Sequence, residues 1–243
     1  MELSPKLKGY LGNWEGIHPF FKSPEWPKIK DSIAPDMDQI TPHIDNWFKA
    51  FRFTSPDQVK VVWLGMSPYF TTDKYTKNLT ADGLAFSTDC RNSLPPSLEK
   101  VYKGIEQDIF GGFGIKMERK NELDFLAYQG VLLLNSALTT VLGDSKKHLP
   151  VWEPFIAYVL KYISDNSENV VFTGFGANAN SLLDNVDKEK HLVIKLEHPA
   201  AAAYGNREWK HEGVFNRTNE YLKSKNQREI LWDNFLAEDD CPF

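Results

Sequence analysis

The sequence predicts an α/β fold with three layers, α/β/α, around a central four-stranded parallel sheet. Two observations predict it. Four short apolar runs recur along the chain: VKVVWLG (59–65), VLLLN (131–135), NVVFTG (169–174) and HLVIKLEH (191–198). Runs of this length, rich in β-branched residues, read as strands buried on both faces. Between them lie amphipathic segments of helical length, and strands alternating with helices argue parallel pairing through right-handed crossovers.

Residues 1–57 are rich in Pro and Trp, with short helical stretches. The clearest is TPHIDNWFKAF (41–51): Thr41 suits a cap, Pro42 a first turn, and Ile44, Trp47, Phe48 and Phe51 share one face. After the first strand, SLEKVYKGIEQDI (97–109) reads as a helix entered through Pro95 and Pro96. VWEPFIAYVLKYIS (151–164) is a strongly one-sided helix, and FNRTNEYLKSK (215–225) closes the set. Repeats, low-complexity tracts and linkers are absent. One domain is therefore expected over 1–236, followed by an acidic flexible tail at 237–243.

The 243 residues carry a net charge of −5, which taken alone argues mildly against a nucleic-acid partner. Glu238, Asp239 and Asp240 in the tail supply three of those negatives, so a local basic face can coexist with them. The two cysteines, Cys90 and Cys241, imply no disulfide framework and suit a reducing compartment. No Cys/His cluster has metal-ligand spacing, so neither a metal nor another cofactor is expected. No apolar run reaches the ~20 residues of a membrane span. The opening MELSPKLKGYLGNW lacks the apolar block of a signal peptide. An intracellular, cytoplasmic monomer with no membrane contact is the expectation.

In open α/β sheets ligands bind beyond the carboxyl ends of the strands. Those ends read Gly65-Met66-Ser67-Pro68-Tyr69-Phe70, Asn135-Ser136, Gly174-Phe175-Gly176-Ala177 and His198-Pro199-Ala200-Ala201. Singly, each is an ordinary turn, cap or structural histidine. Together they gather small and polar groups at one edge of one sheet, as a site for a small flat ligand requires.

These segments resemble family 1 uracil-DNA glycosylase. GMSPYF (65–70) stands where that family has Gly-Gln-Asp-Pro-Tyr-His, and GLAFS (83–87) where it has Gly-Leu-x-Phe-Ser. LPPSLEKVY (94–102) matches its proline-rich serine loop and helix. LLLNSALT (132–139) matches Leu-Leu-Leu-Asn-x-x-Leu-Thr, and HPAAAA (198–203) stands at its His-Pro-Ser-Pro-Leu-Ser loop. FNRTNEYL (215–222), Ile230 and Trp232 continue the match, which runs in order from about residue 14 to 235.

The resemblance implies a DNA partner, uracil-containing or single-stranded, and extrusion of a uracil nucleotide before its N-glycosidic bond is cleaved in base-excision repair. It implies that Phe86 stacks on the flipped ring and that Asn135 pairs with the uracil amide edge. Tyr69 would exclude the methyl of thymine, and His198 would stabilise charge on the leaving base. Met66 would line the base site. Ser97, Gly174, Phe175, Pro199 and Ala202 fall at positions that contact DNA.

The departures carry equal weight. Ser67 replaces the family's catalytic Asp, and a neutral hydroxyl is a poor base; general-base help is worth ~10²–10⁴-fold in rate. Asp82 is a nearby carboxylate that could substitute. Met66 and Phe70 replace Gln and His and make the mouth more apolar. Ala202 stands at the duplex-wedging Leu and is too short for that task, and Phe175 replaces a phosphate-contacting Ser.

The expected function is therefore a slow glycosylase that favours single strands. The alternatives are a non-catalytic uracil- or DNA-binding module or replication-complex subunit, and a glycosylase for another base. The ending AEDDCPF (237–243) reads as a solvated acidic tail; its alternative reading is a docking segment for replication or repair proteins.

Overall fold

A computed structural model describes residues 2–111 and 116–233. Its centre is a parallel sheet in the order β3-β2-β5-β6, built from β2 (Val61–Gly65), β3 (Val131–Asn135), β5 (Val171–Phe175) and β6 (Leu192–Leu196). β2, β3 and β5 are buried along their whole length, so the continuous apolar runs are those of strands covered on both faces. The register sets Gly65 opposite Asn135 and Phe175 opposite Leu196, which levels the carboxyl ends of the strands.

The chain leaves β2 through α4 (Pro96–Phe110) to reach β3 on one side. It then crosses back through α6 (Leu149–Asn166) to β5 on the other side. Right-handed crossovers in opposite directions place the two helices on opposite faces. α4 packs with α8 (Pro199–Tyr204) and α9 (Val214–Ser224), whereas α6 packs with α2 (Glu25–Ile33) and α7 (Ala177–Leu182). β2 is therefore the strand at which the winding reverses, and the crevice at its carboxyl end is where such sheets bind ligands.

Each face has its own aromatic cluster. Trp63 stacks on Trp232 at 5.5 Å and meets Phe86, Phe175 and Phe215 edge-on. Phe20, Phe21, Phe48 and Trp152 all surround Phe155 of α6. Among the described residues no helix is long and apolar enough to cross a membrane.

The segment 41–51 departs from expectation. Ile40–Thr41 (β1) pairs antiparallel with Thr140–Val141 (β4), and the Thr41–Pro42 peptide is cis. Thr41 caps nothing; its hydroxyl donates to the Tyr69 carbonyl at 3.1 Å. Helix is confined to a 3₁₀ turn at Ile44–Asn46 and to α3 (Lys49–Phe53). The partner strand lies about a hundred residues away, and a local pattern cannot report it. The segments 97–109, 151–164 and 215–225 are helical as expected, with ends shifted by one or two residues. The acidic segment 237–243 lies outside the described residues.

Candidate active site

Above the carboxyl ends of β2, β3 and β6 opens a cavity of about 610 Å³. Met66, Ser67, Tyr69, Phe70, Phe86, Ser97, Asn135 and His198 all line it, so the structure brings the predicted base and catalytic positions together.

Asn135 ends β3 and is 6% exposed. Its side chain lies over Gly65, where a Cβ would stand 2.5 Å from the Asn135 Oδ1. Glycine is therefore required on β2 for the carboxamide to occupy this place. The crossing beyond is tied by Ser136, whose N–H and hydroxyl both donate to the Gly65 carbonyl, at 2.9 and 2.8 Å.

Phe86 sits on a turn held in an uncommon conformation, with φ +66°. Such a backbone costs on the order of 1–3 kcal/mol and persists only where its surroundings enforce it. Here they do. Asp82 Oδ1 accepts from the Leu84 N–H at 3.0 Å, and Oδ2 accepts from the Ser87 hydroxyl at 2.7 Å and from Lys49 Nζ at 2.9 Å. Gly83, at φ +99°, passes where a Cβ would stand 2.2 Å from the Asn46 carbonyl. From the cavity side, the Tyr69 hydroxyl donates to the Phe86 carbonyl at 3.0 Å. Its one proton being so used, it accepts from the Ser97 hydroxyl at 3.1 Å. Burial pushes the Tyr69 phenol well above its usual range, so it stays a neutral donor.

His198 is the N-cap of α8: its Nδ1 accepts from the Ala200 N–H at 3.1 Å. The neutral ring must then carry its proton on Nε2. Burial pulls its pKa down to about 4, so the ring is neutral at pH 7 and offers an N–H donor. The ring lies 5.6 Å from that of Phe86. Among the described residues no group of three or more His, Cys, Asp or Glu is placed to hold a metal ion.

Most of the remaining positions expected to touch DNA are buried. Ala202 and Phe175 have no exposed surface, and Gly174 and Pro199 are buried. Ala202 faces inward from α8, while Phe175 packs under Phe86 with ring centroids 4.9 Å apart. A Cβ on Gly174 would meet Asn180 Oδ1 at 2.5 Å. These four residues build the wall behind the site. Ser97 lines the cavity but is 6% exposed, bonded to Tyr69. Asp82 is committed to the turn and to Lys49, so it is not a substitute base. The sequence reading overlooked Lys74 and Tyr204, both of which line the cavity. The pattern Ala-Ala-Ala-Ala-Tyr just after a strand-end histidine was the available signal for Tyr204.

No family model matches the chain. Curated relatives do. The chain is 36% identical over 220 residues to the uracil-DNA glycosylase of Aliarcobacter butzleri, covering 87% of this chain and 95% of that protein. It is 33% identical over 225 residues to that of Acinetobacter baumannii, covering 90% and 91%. Mimivirus uracil-DNA glycosylase superposes with a TM-score of 0.83 at 27% identity, over 96% of this chain and 90% of that one. The glycosylase of Nitratifractor salsuginis, at 20% identity and a TM-score of 0.56, shares the fold. On this likeness, spread over nearly all its length, the chain belongs to the uracil-DNA glycosylase family.

Proposed function

We propose that this protein hydrolyses the N-glycosidic bond of deoxyuridine in DNA, slowly and with a preference for single strands. The observation that carries the reading is the convergence of Phe86, Asn135, Tyr69 and a neutral His198 on one cavity.

The Phe86 ring offers a stacking face, and the Asn135 carboxamide offers one acceptor and one donor to the amide edge of uracil. The Tyr69 ring, fixed by its hydroxyl, would exclude a 5-methyl group on the bound base. As the bond from N1 to C1′ breaks, its electron pair passes to the base and charge gathers on a ring oxygen. The His198 Nε2–H, already neutral, donates to that oxygen without first losing a proton. Water adds to C1′, and the proton it releases passes through solvent to the departing uracil anion. Ser67 can hold that water by a hydrogen bond but brings no negative charge to offset the sugar cation. At ~4 Å, a carboxylate there would contribute roughly 4 kcal/mol at an effective dielectric of about 20. The absence of that charge is the reason for the low rate.

The preference for single strands rests on the stretch Ala200–Ala203, which presents nothing long enough to fill the gap left in a duplex by an extruded base. A second reading, a uracil-binding module without turnover, is favoured by the same neutral Ser67 beside an intact base site. Incubation with single-stranded uracil DNA and scoring of abasic sites separates the two. No cleavage above background at high protein concentration, with uracil-dependent binding retained, would replace the first reading by the second.

A further inference from the structure

Tyr204 is the most exposed of the large hydrophobic side chains in the described residues, at 79%, and it lines the cavity that holds Ser67, Asn135 and His198. Lys74 lines the same cavity, and its Nζ lies 4.5 Å from the ring centre of Tyr75, itself 65% exposed. Two of the most exposed aromatic rings thus stand at or beside one opening. They come from the segments that follow β6 and β2, which are separated by β5 alone.

Neither ring hangs on a loose tether. The start of α8 is capped by His198. Its end is closed by the Gly205 N–H on the Ala201 carbonyl at 3.1 Å and the Arg207 N–H on the Ala202 carbonyl at 3.0 Å. Arg207 is clamped on Glu197 by two bonds of 2.6 and 2.7 Å. On the other side, Asp73 Oδ1 accepts from the Tyr75 and Thr76 N–H groups at 2.9 and 2.7 Å.

Charge does not explain the opening. The charged side chains lining the cavity are Asp73 and Lys74, which offset one another, on a chain of net charge −5. A polyanion gains little there from phosphate pairing. What the opening offers is ring faces, one of them backed by an ammonium group. This is the chemistry that binds unpaired bases, since every base has a π-face and stacking tolerates any sequence.

We infer that Tyr204 and the Lys74–Tyr75 pair are stacking platforms for the bases flanking the extruded nucleotide in a single strand. The inference rests on the proposed uracil-DNA reading. It adds the source of strand affinity, which is aromatic stacking in place of phosphate contacts.

The test uses the full chain and a single-stranded oligonucleotide holding one uracil beside 2-aminopurine, whose fluorescence reports stacking. Tyr204→Ala should raise Kd about tenfold and abolish the fluorescence change, while Tyr204→Trp should preserve both. Tyr75→Ala should raise Kd about threefold. The loss should fall on Kd and KM for the strand more than on kcat. The salt slope of log Kd should be shallow. Unchanged affinity and fluorescence in Tyr204→Ala would overturn the inference. So would a loss confined to duplex substrates, which would make Tyr204 a wedge between base pairs. Binding needs no hydrolysis: a wild-type protein that binds without cleaving defeats only the proposed activity.

Discussion

The floor of the cavity and its catalytic edge are built in opposite ways. The floor groups are fixed by their surroundings: Phe86 by Tyr69, Asp82 and Gly83, and Asn135 by its fit over Gly65. At the edge, Ser67 has a short neutral side chain and Ala200–Ala203 are methyl groups. The floor is continuous with the sheet and its aromatic cluster through Phe175 and Trp63, so a change there disturbs packing as well as recognition. The edge lies beyond the strand ends, where substitution at Ser67 or the exposed Ala201 costs little stability, although Ala202 is buried. The proposed base recognition is therefore part of the fold, whereas the proposed chemistry is an attachment to it.

The largest expected effect breaks the floor. Asn135→Ala removes both hydrogen-bonding groups aimed at the base, and uracil-dependent turnover should fall on the order of 10⁴-fold. A loss under tenfold, measured as kcat/KM on single-stranded uracil DNA, would mean that the floor does not read the base. Next comes the edge: Ser67→Asp should raise kcat about 10²–10⁴-fold while KM stays nearly constant. No gain would show that the edge has lost more than its charge.

A smaller effect tests the boundary between the two, where His198 stands. Its pKa of about 4 lies below the ordinary 6.5, so the unfolded chain binds a proton that the folded chain resists between these values. The stability this group contributes is present above pH 6.5 and is lost as pH falls towards 4. The melting temperature should drop across that window, and His198→Ala should flatten the drop. Turnover should hold from pH 7 to 5 and decline only near pH 4. A midpoint at 6.5 would place the ring in water. The smallest effect trims the floor: Tyr69→Phe deletes one hydroxyl and should cost about 1 kcal/mol of stability, read from denaturant midpoints. Discrimination against thymine should persist, because the ring remains.

Much of this was legible in the residues themselves. Strands buried on both faces are continuous apolar runs, and VLLLN coincides with β3 residue for residue. The gathering of these positions around one cavity was legible because strand ends in a parallel sheet share one edge. The pairing of β1 with β4 was not, since its partners are far apart in the chain. Nor was the exposure of individual residues. A motif aligns Ala202 and Phe175 with DNA-contacting positions, but the turn of α8 points Ala202 inward and leaves Tyr204 outside. The strained backbone of Phe86 has no signature beyond the preceding Asp82-Gly83.

The cap on α8 has one more consequence. The lone pair of His198 Nδ1 caps the start of the segment that ends in Tyr204, while the opposite nitrogen of the same ring is the donor proposed for the leaving base. The proposed leaving-group donor and the entrance are thus two ends of one lever. Acid that occupies the lone pair loosens the start of α8 at the moment it changes the proposed donor, while the Phe86 turn, secured by Asp82 and Tyr69, stays in place. Under mild acid the molecule should come apart from the doorway inward.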